Sequence, residues 1–313
     1  MRALIVTNMW PSPAAPALGS FVRDQADALR RIGGAQLELE VFSFPPKGYA
    51  RAARELRRLD RSRPFDVVHA HFGLSAWPAL AAPARARVVT LHGTDLRHPR
   101  TRALTRLVLP RFDLVATVSE DLARELPPRA ACGRRAVLPC GVATDRFVPI
   151  PRADARARLG LDADGRYLLF PSDPARPAKR HDRAAEVAAA VSAELLVLRD
   201  VAPADAPLWV NAAGAVVMPS EHEGFGLAVL EALACDVPVV AAPTGIHAEA
   251  LAGIDGTLCA AYDRDKWARF VAAQLESGDT RIAGRARAER YSADAMAERV
   301  LGAWRRLASG PPA

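Results

Sequence analysis

Two carboxylates bracket the stretch Glu223-Gly224-Phe225-Gly226-Leu227-Ala228-Val229-Leu230-Glu231. Between them lie a turn with glycine on either side of Phe225 and the start of an apolar, helix-forming run. Glycine lets a ligand approach the backbone closely. A helix beginning here would leave its first N–H groups unpaired, a ready site for an anion such as phosphate. Glu231 sits in AVLEALA, whose other members are all apolar. A carboxylate enclosed there must meet donors, because burying its charge unpaired is costly. Glu231 is therefore either a satisfied core glutamate or the acceptor of two adjacent hydroxyls, as in a ribose diol. On the second reading Glu223 stands at the phosphate end of the same ligand.

The flanking segments must position these groups. Ala215–Met218 and Val237–Ala241 read as buried strands, with a helix over Leu227–Ala234 between them. In such a β-turn-α-β unit the helix N-terminus faces the C-terminal end of a parallel sheet, where open α/β sheets bind ligands. The pattern recurs upstream: a strand over Ala3–Thr7, a loop ending Leu18-Gly19-Ser20, and a helix from Phe21 to Ile32. No G-x-G-x-x-G follows that strand, so a dinucleotide site is not predicted. Further strands are predicted over Leu37–Ser43, Val67–Ala70, Val88–Leu91, Leu114–Val118, Ala136–Leu138, Tyr167–Phe170, Glu194–Leu198 and Thr257–Ala260. This alternation of strand and helix predicts an α/β chain with doubly wound parallel sheets.

Other groups that can do chemistry sit at the ends of these strands. Val88–Leu91 delivers His92-Gly93-Thr94-Asp95. His69 and His71 flank the end of Val67–Ala70; no nearby carboxylate or cysteine completes a metal set, so a site-lining or structural role is predicted. The loop PSDPARPAKRHD places Arg176, Lys179 and Arg180 ahead of a helix over His181–Ser192. Asp162-Ala163-Asp164 and Asp263-Arg264-Asp265 are formally D-x-D, but they read as a turn and a helix start.

With 313 residues the chain is long enough for two domains, and 50% hydrophobic content gives each a core. The net charge of +7 admits an anionic ligand or a membrane surface. Aromatic–basic interleaving and zinc spacing are missing, which argues against nucleic acid. Lys47–Arg63 reads as a basic helix carrying Arg51, Arg54, Arg57, Arg58 and Arg61, either a solvated face or a rest for anionic lipid. Cys132, Cys140, Cys235 and Cys259 are scattered without a C-x-x-C pair, which predicts reduced thiols. MRALIVTNMW reads as a first strand rather than a leader, and no run approaches the roughly twenty apolar residues of a membrane span. A soluble, cytoplasmic protein is expected, with membrane contact only peripheral, at the inner face.

E-x7-E with GFG inside it, a buried strand on each side, and the continuation ALACDVPVVA and TGIHAEAL resembles the donor-site motif of family 4 of the retaining nucleotide-sugar glycosyltransferases, which have the GT-B fold. HGTD, and PCGVATDRFVP with Cys140 and Ala143 in place of the family's Asn and Asp, extend the resemblance over essentially the whole chain. Asp236 stands where the family usually has glycine, and Gly19 is single where the family often has two. With PLWVNAAG and GIHAE the sequence looks most similar to teichuronic-acid-type members.

The resemblance implies two Rossmann-like domains facing across a cleft: an acceptor-side domain over 1–148, a donor domain over 149–290 joined by Val148–Pro151, and a final helix over 291–313 crossing back to the first domain. It implies a retaining hexosyltransferase of cell-surface glycan or glycolipid synthesis. The donor would be a nucleoside-diphosphate sugar and the acceptor a glycan, a lipid-linked sugar or a small molecule, with no cofactor and no metal. Gly19, Gly224, Phe225, Gly226 and Leu227 would line the donor, Glu223 the sugar ring and Glu231 the ribose. His92 would orient the sugar. Lys179 matches the family's lysine on the diphosphate; the family's arginine falls near Pro174, so Arg176 is a displaced substitute. The alternatives are a GT-B sugar-nucleotide epimerase or hydrolase, and a non-catalytic nucleotide-sugar-binding subunit.

Overall fold

A computed structural model describes residues 1–126 and 134–309. Cys132, counted above among the reduced thiols, lies outside the described residues. The chain forms two compact units: Met1–Gly141 with the segment from Ala293 onward, and Val142–Ser292.

The first unit is built on six parallel strands: β1 (Arg2–Thr7), β2 (Glu38–Ser43), β3 (Phe65–His71), β4 (Ala84–Leu91), β5 (Leu114–Thr117) and β6 (Arg134–Val137). They lie in the order β2-β1-β3-β4-β5-β6, so the winding reverses between β1 and β3. Register brings the C-terminal ends level: Thr7 pairs with Ser43 and His71, and His71 with Thr90. The central strands are apolar on both faces because both are covered. Ile5, Val67 and Val88 pack with Val22 and Leu29 of helix Ser20–Gly33 on one such face. Met296, Val300, Leu301 and Trp304, spaced as one face of helix Ala293–Ala308, complete the same cluster.

Gly19 precedes helix Ser20–Gly33 with φ 68°, and a Cβ there would lie 2.3 Å from the Met9 carbonyl oxygen, so only glycine fits. The basic helix is shorter than its arginines suggested, Tyr49–Arg57. The Asp60 carboxylate takes the Ser62 N–H at 2.8 Å, forming a turn ahead of Pro64.

The second unit carries β7 (Tyr167–Phe170), β8 (Glu194–Val197), β9 (Ala215–Met218), β10 (Val239–Ala241) and β11 (Thr257–Cys259), all parallel, in the order β11-β10-β9-β7-β8. Leu168, Phe170, Val217 and Val240 pack against Trp267 and Val271 of helix Arg264–Glu276. β10 begins two residues later than the apolar run suggested. Val237 instead donates its N–H to Ala232, closing helix Leu227–Ala234, and Pro238 has no N–H to give. The Val148–Pro151 segment, read from its prolines as a linker, lies inside this unit. Asn211 accepts the Ile150 N–H at 2.8 Å and donates to the Val148 carbonyl at 3.0 Å. Among the described residues no helix is long and apolar enough to cross a membrane.

Candidate active site

In the second unit the loops after β7 and β9 are joined by a backbone bond, Glu221 N–H to Ala178 carbonyl, at 2.9 Å. Across that joint Lys179 Nζ donates to Glu223 Oε1 and Oε2 at 2.6 and 2.7 Å. Burial alone would raise the Glu223 carboxyl, but the charge of Lys179 outweighs it, helped by His247 and by a hydrogen bond from Ser220. The net effect holds Glu223 below its ordinary value.

Glu223 leads into the turn Gly224–Gly226. Gly226 has φ 98°, and a Cβ on it would come within 2.4 Å of His247 Nε2. Ile246 donates its N–H to the Phe225 carbonyl at 2.9 Å. His247 is fully buried; its Nδ1 bonds the Ala242 carbonyl at 2.8 Å, and among the described residues its Nε2 has no hydrogen-bond partner. Helix Leu227–Ala234 then starts with no side-chain cap and no acidic residue in its first turn. The positive end of its dipole therefore meets no acidic side chain in its own first turn.

Glu231 is not enclosed. Leu227, Ala228 and Glu231, at helical spacing, form the half-buried face of the helix, while Val229, Leu230 and Ala232–Ala234 are buried. The apolar neighbours in sequence lie on the other side, and Glu231 is partly exposed at the surface of the helix. Arg176 is exposed and its side chain makes no hydrogen bond or ion pair among the described residues. Arg180 is committed elsewhere: it bridges Asp182 at 2.6 Å and Glu221 at 2.5 Å.

In the first unit His92 follows β4 and is half-buried. Its ring lies between Phe21 and Phe72, with centroids 5.0 and 4.5 Å away. Asp95, buried, accepts the His92 N–H at 2.6 Å on one oxygen and the Gly73 N–H at 2.7 Å on the other, tying the ends of β4 and β3 together. Phe72 holds φ 74° and ψ 142°, a conformation that costs a non-glycine residue about 1–3 kcal/mol. His92 Nε2 faces His71 Nδ1 at 3.1 Å. His69, His71 and His92 stack in a row at 4.6 and 5.3 Å between centroids. Strand alternation could put His69 and His71 on one face, but the third member comes from another strand, beyond any local spacing.

Nor did spacing single out Asp95, His247 or the polar group Asn8, Tyr49 and Ser75. Asn8 donates to the Tyr49 hydroxyl at 2.9 Å and shares 3.2 Å bonds with Ser75. Among the described residues no three His, Cys, Asp or Glu side chains converge as metal ligands.

Comparison with known proteins decides the family. Residues 6–146 match the model of Glycosyltransferase Family 4, and residues 165–277 that of Glycosyl transferases group 1. A D-inositol 3-phosphate glycosyltransferase of Thermobispora bispora is 32% identical over 292 residues, covering 73% of this chain and 67% of the relative. The chain belongs to glycosyltransferase family 4. Sucrose-phosphate synthase from Thermosynechococcus elongatus superposes with a TM-score of 0.74 at 18% identity, over 98% of each chain. Anabaena HepE in complex with UDP and glucose gives 0.71 at 17%, over 98% of this chain and all of that one. The two parallel-sheet units therefore have the GT-B fold, and the chain is a glycosyltransferase of the nucleotide-sugar-dependent kind.

Two positions where the sequence departs from the motifs it resembles, Asp236 and Cys140, have distinct surroundings. Asp236, at φ 54°, replaces the usual glycine. Its carboxylate accepts the N–H groups of Gly284 and Arg285 at 2.9 and 2.8 Å, capping helix Arg285–Glu289. Cys140, in place of the family's Asn, is a thiol that burial pushes up to about 12, which makes it a poor nucleophile.

Proposed function

We propose that the chain transfers a hexose from a nucleoside diphosphate to an acceptor hydroxyl with retention at the anomeric carbon, without a metal. The observation that carries this reading is the Lys179–Glu223 pair set at the uncapped start of helix Leu227–Ala234. Together they offer a cation, a dipole end and a glycine turn to a diphosphate, with a carboxylate beside them for a sugar hydroxyl. Charge accumulates on the departing diphosphate in the transition state, and fixed donors already in place stabilise it without reorganisation. Arg176 supplies a forked head able to hold two phosphate oxygens at once. Glu231 accepts the ribose hydroxyls. From the first unit, His92 donates to the sugar. The leaving phosphate takes the acceptor proton as the hydroxyl attacks on the same face.

For the acceptor, the relatives named D-inositol 3-phosphate glycosyltransferases support adding a phosphorylated polyol to the candidates, alongside glycan and lipid-linked acceptors. The finer likeness to teichuronic-acid-type transferases rests on PLWVNAAG and GIHAE alone. HepE, solved with UDP and glucose, makes UDP-hexoses the first donors to try.

The test begins with a thermal-shift panel of nucleotides and nucleotide-sugars. A ligand at one hundred times its dissociation constant adds about 2.7 kcal/mol. The best donor is then offered to inositol phosphate, glycan and lipid-linked acceptors with and without EDTA. Transfer that survives EDTA, with the anomeric configuration kept, supports the proposal. Donor binding without transfer or hydrolysis identifies a silent binding subunit. Turnover with no acceptor requirement identifies the hydrolase or epimerase. Activity lost to EDTA and restored by manganese overturns the metal-free mechanism.

A further inference from the structure

The row of buried rings behind His92 is not used by the chemistry proposed above, yet its hydrogen bonds have a direction. Gln25, on helix Ser20–Gly33, points its amide Nε2 at His71 Nε2, 3.3 Å away. An amide nitrogen only donates, so His71 Nε2 must accept. A neutral imidazole carries one N–H, which leaves it on His71 Nδ1, 3.1 Å from His92 Nε2. His92 Nε2 then accepts, and the His92 proton sits on Nδ1. Among the described residues that atom has no partner, and it is not one of the buried unsatisfied atoms, so it is open to a ligand.

We propose that Gln25 and His71 are positioning residues that hold His92 in the Nδ1–H tautomer, so that it always presents a hydrogen-bond donor.

Three further observations bear on this. First, His71 is fully buried, and burial pushes it down to about 3, so it stays neutral and the relay keeps one direction. Second, the His92 ring cannot turn freely between Phe21 and Phe72, while Asp95 anchors its backbone. Third, His69 keeps a separate set of bonds. It accepts from Trp304 Nε1 at 3.3 Å on Nδ1, which leaves Nε2–H for the Thr90 hydroxyl at 2.7 Å. Its stacking on His71 therefore does not compete for the His71 nitrogens. The tautomer of a histidine is set by the bond its other nitrogen makes, and here that bond is buried and fixed.

That the donor faces a sugar rests on the reading of His92 in the proposed function; the tautomer does not. The experiment therefore reads both. Full-length protein labelled with ¹⁵N-histidine reports, by long-range ¹⁵N–¹H correlation, which ring nitrogen of His92 carries the proton. Wild type should show Nδ1–H at His92 and His71, and Nε2–H at His69.

An asparagine amide nitrogen lies two bonds from Cβ, as Nδ1 does; a glutamine's lies three, as Nε2 does. His71→Asn should therefore keep His92 as Nδ1–H, and His71→Gln should release it. Gln25→Leu, a milder change on a helix, should mix the tautomers of both histidines. Turnover should fall about tenfold in His71→Gln, the size of one neutral hydrogen bond, with donor binding unchanged and most activity recovered in His71→Asn. His92 found as Nε2–H in wild type, or unmoved by both His71→Gln and Gln25→Leu, overturns the relay. A tautomer that moves while turnover does not upholds the relay and overturns His92 as the sugar's donor.

Discussion

The ammonium of Lys179 sits between both oxygens of Glu223, at 2.6 and 2.7 Å, with the two side chains only 12% and 7% exposed. Removing one partner of such a pair leaves the other charged and buried, at a cost of about 3–5 kcal/mol. Lys179→Ala should therefore lower both stability and turnover. The turnover loss should be on the order of 10²–10³, as for other lost donors to a developing anion. Lys179→Ala with Glu223→Gln should recover most of the stability and none of the activity. Melting curves and steady-state rates at a temperature well below melting separate the two effects. If the double variant regains activity with stability, Lys179 is a structural partner and not a diphosphate ligand.

The three cations of PSDPARPAKRHD fall into different states. Arg180 is tied to Asp182 and Glu221, while Arg176 is exposed and its side chain has no partner among the described residues. Arg176→Ala should cripple turnover, and Arg176→Lys should rescue it only in part, because an ammonium lacks the fork. Arg180→Ala should cost less. Rates for the three variants with one confirmed donor settle the register. A crippled Arg180→Ala beside a near-normal Arg176→Ala would make the clamp Lys179 with Arg180.

How far this was legible in the sequence follows from separation along the chain. Helix Leu227–Ala234 could be bounded from its glycine turn and its apolar run because every determinant is local. Lys179 and Glu223 were each singled out, but their pairing spans two loops and depends on the backbone bond between Ala178 and Glu221. Glu231 looked enclosed because sequence neighbours are not spatial neighbours on a helix; only the three-and-four spacing to Leu227 and Ala228 places it on the open face. The histidine row joins β3, β4 and Trp304 of the last helix, and no motif search spans that distance.

Because Glu231 is on the partly exposed face of its helix, Glu231→Ala should weaken nucleotide binding in a variant that still folds. A charged hydrogen bond is worth roughly 1.5–3 kcal/mol, which corresponds to about ten- to a hundredfold in affinity. Calorimetric titration of UDP and of the free base tests it. The loss should appear with the nucleotide and vanish with the base. Unchanged nucleotide affinity in a folded variant would exclude the ribose assignment.

Helix Tyr49–Arg57 exposes Arg51, Arg54 and Arg57, with Arg58 and Arg61 following, and among the described residues only Arg51 of these is paired, to Glu55 at 2.7 Å. If this face rests on lipid, the protein should bind anionic vesicles and leave them as salt is raised, since exposed charges are screened over about 8 Å at physiological ionic strength. Neutral vesicles should not bind. Equal binding to both, or to neither, makes this a solvated face.

The buried histidines also set a pH limit. His69, His71 and His247 are fully buried, and burial, the first cause in each case, pushes all three below their ordinary value, His71 to about 3. The unfolded chain protonates them near pH 6.5; the folded chain does not. Below pH 6.5 the unfolded state therefore binds more protons, and stability must fall as pH falls. Each such group adds about 1.4 kcal/mol per pH unit to the slope, so His71 alone costs about 2 kcal/mol between pH 6.5 and 5. Glu223, held low by Lys179, acts in the same direction, but only from the ordinary carboxylate value downward, outside this window. Urea midpoints should thus drop steadily from pH 7 to 5. His71→Asn, which cannot titrate, should flatten the slope by one proton's worth. A midpoint constant from pH 7 to 5 would mean that the row takes up protons while folded, which its burial and its one-way hydrogen bonds forbid.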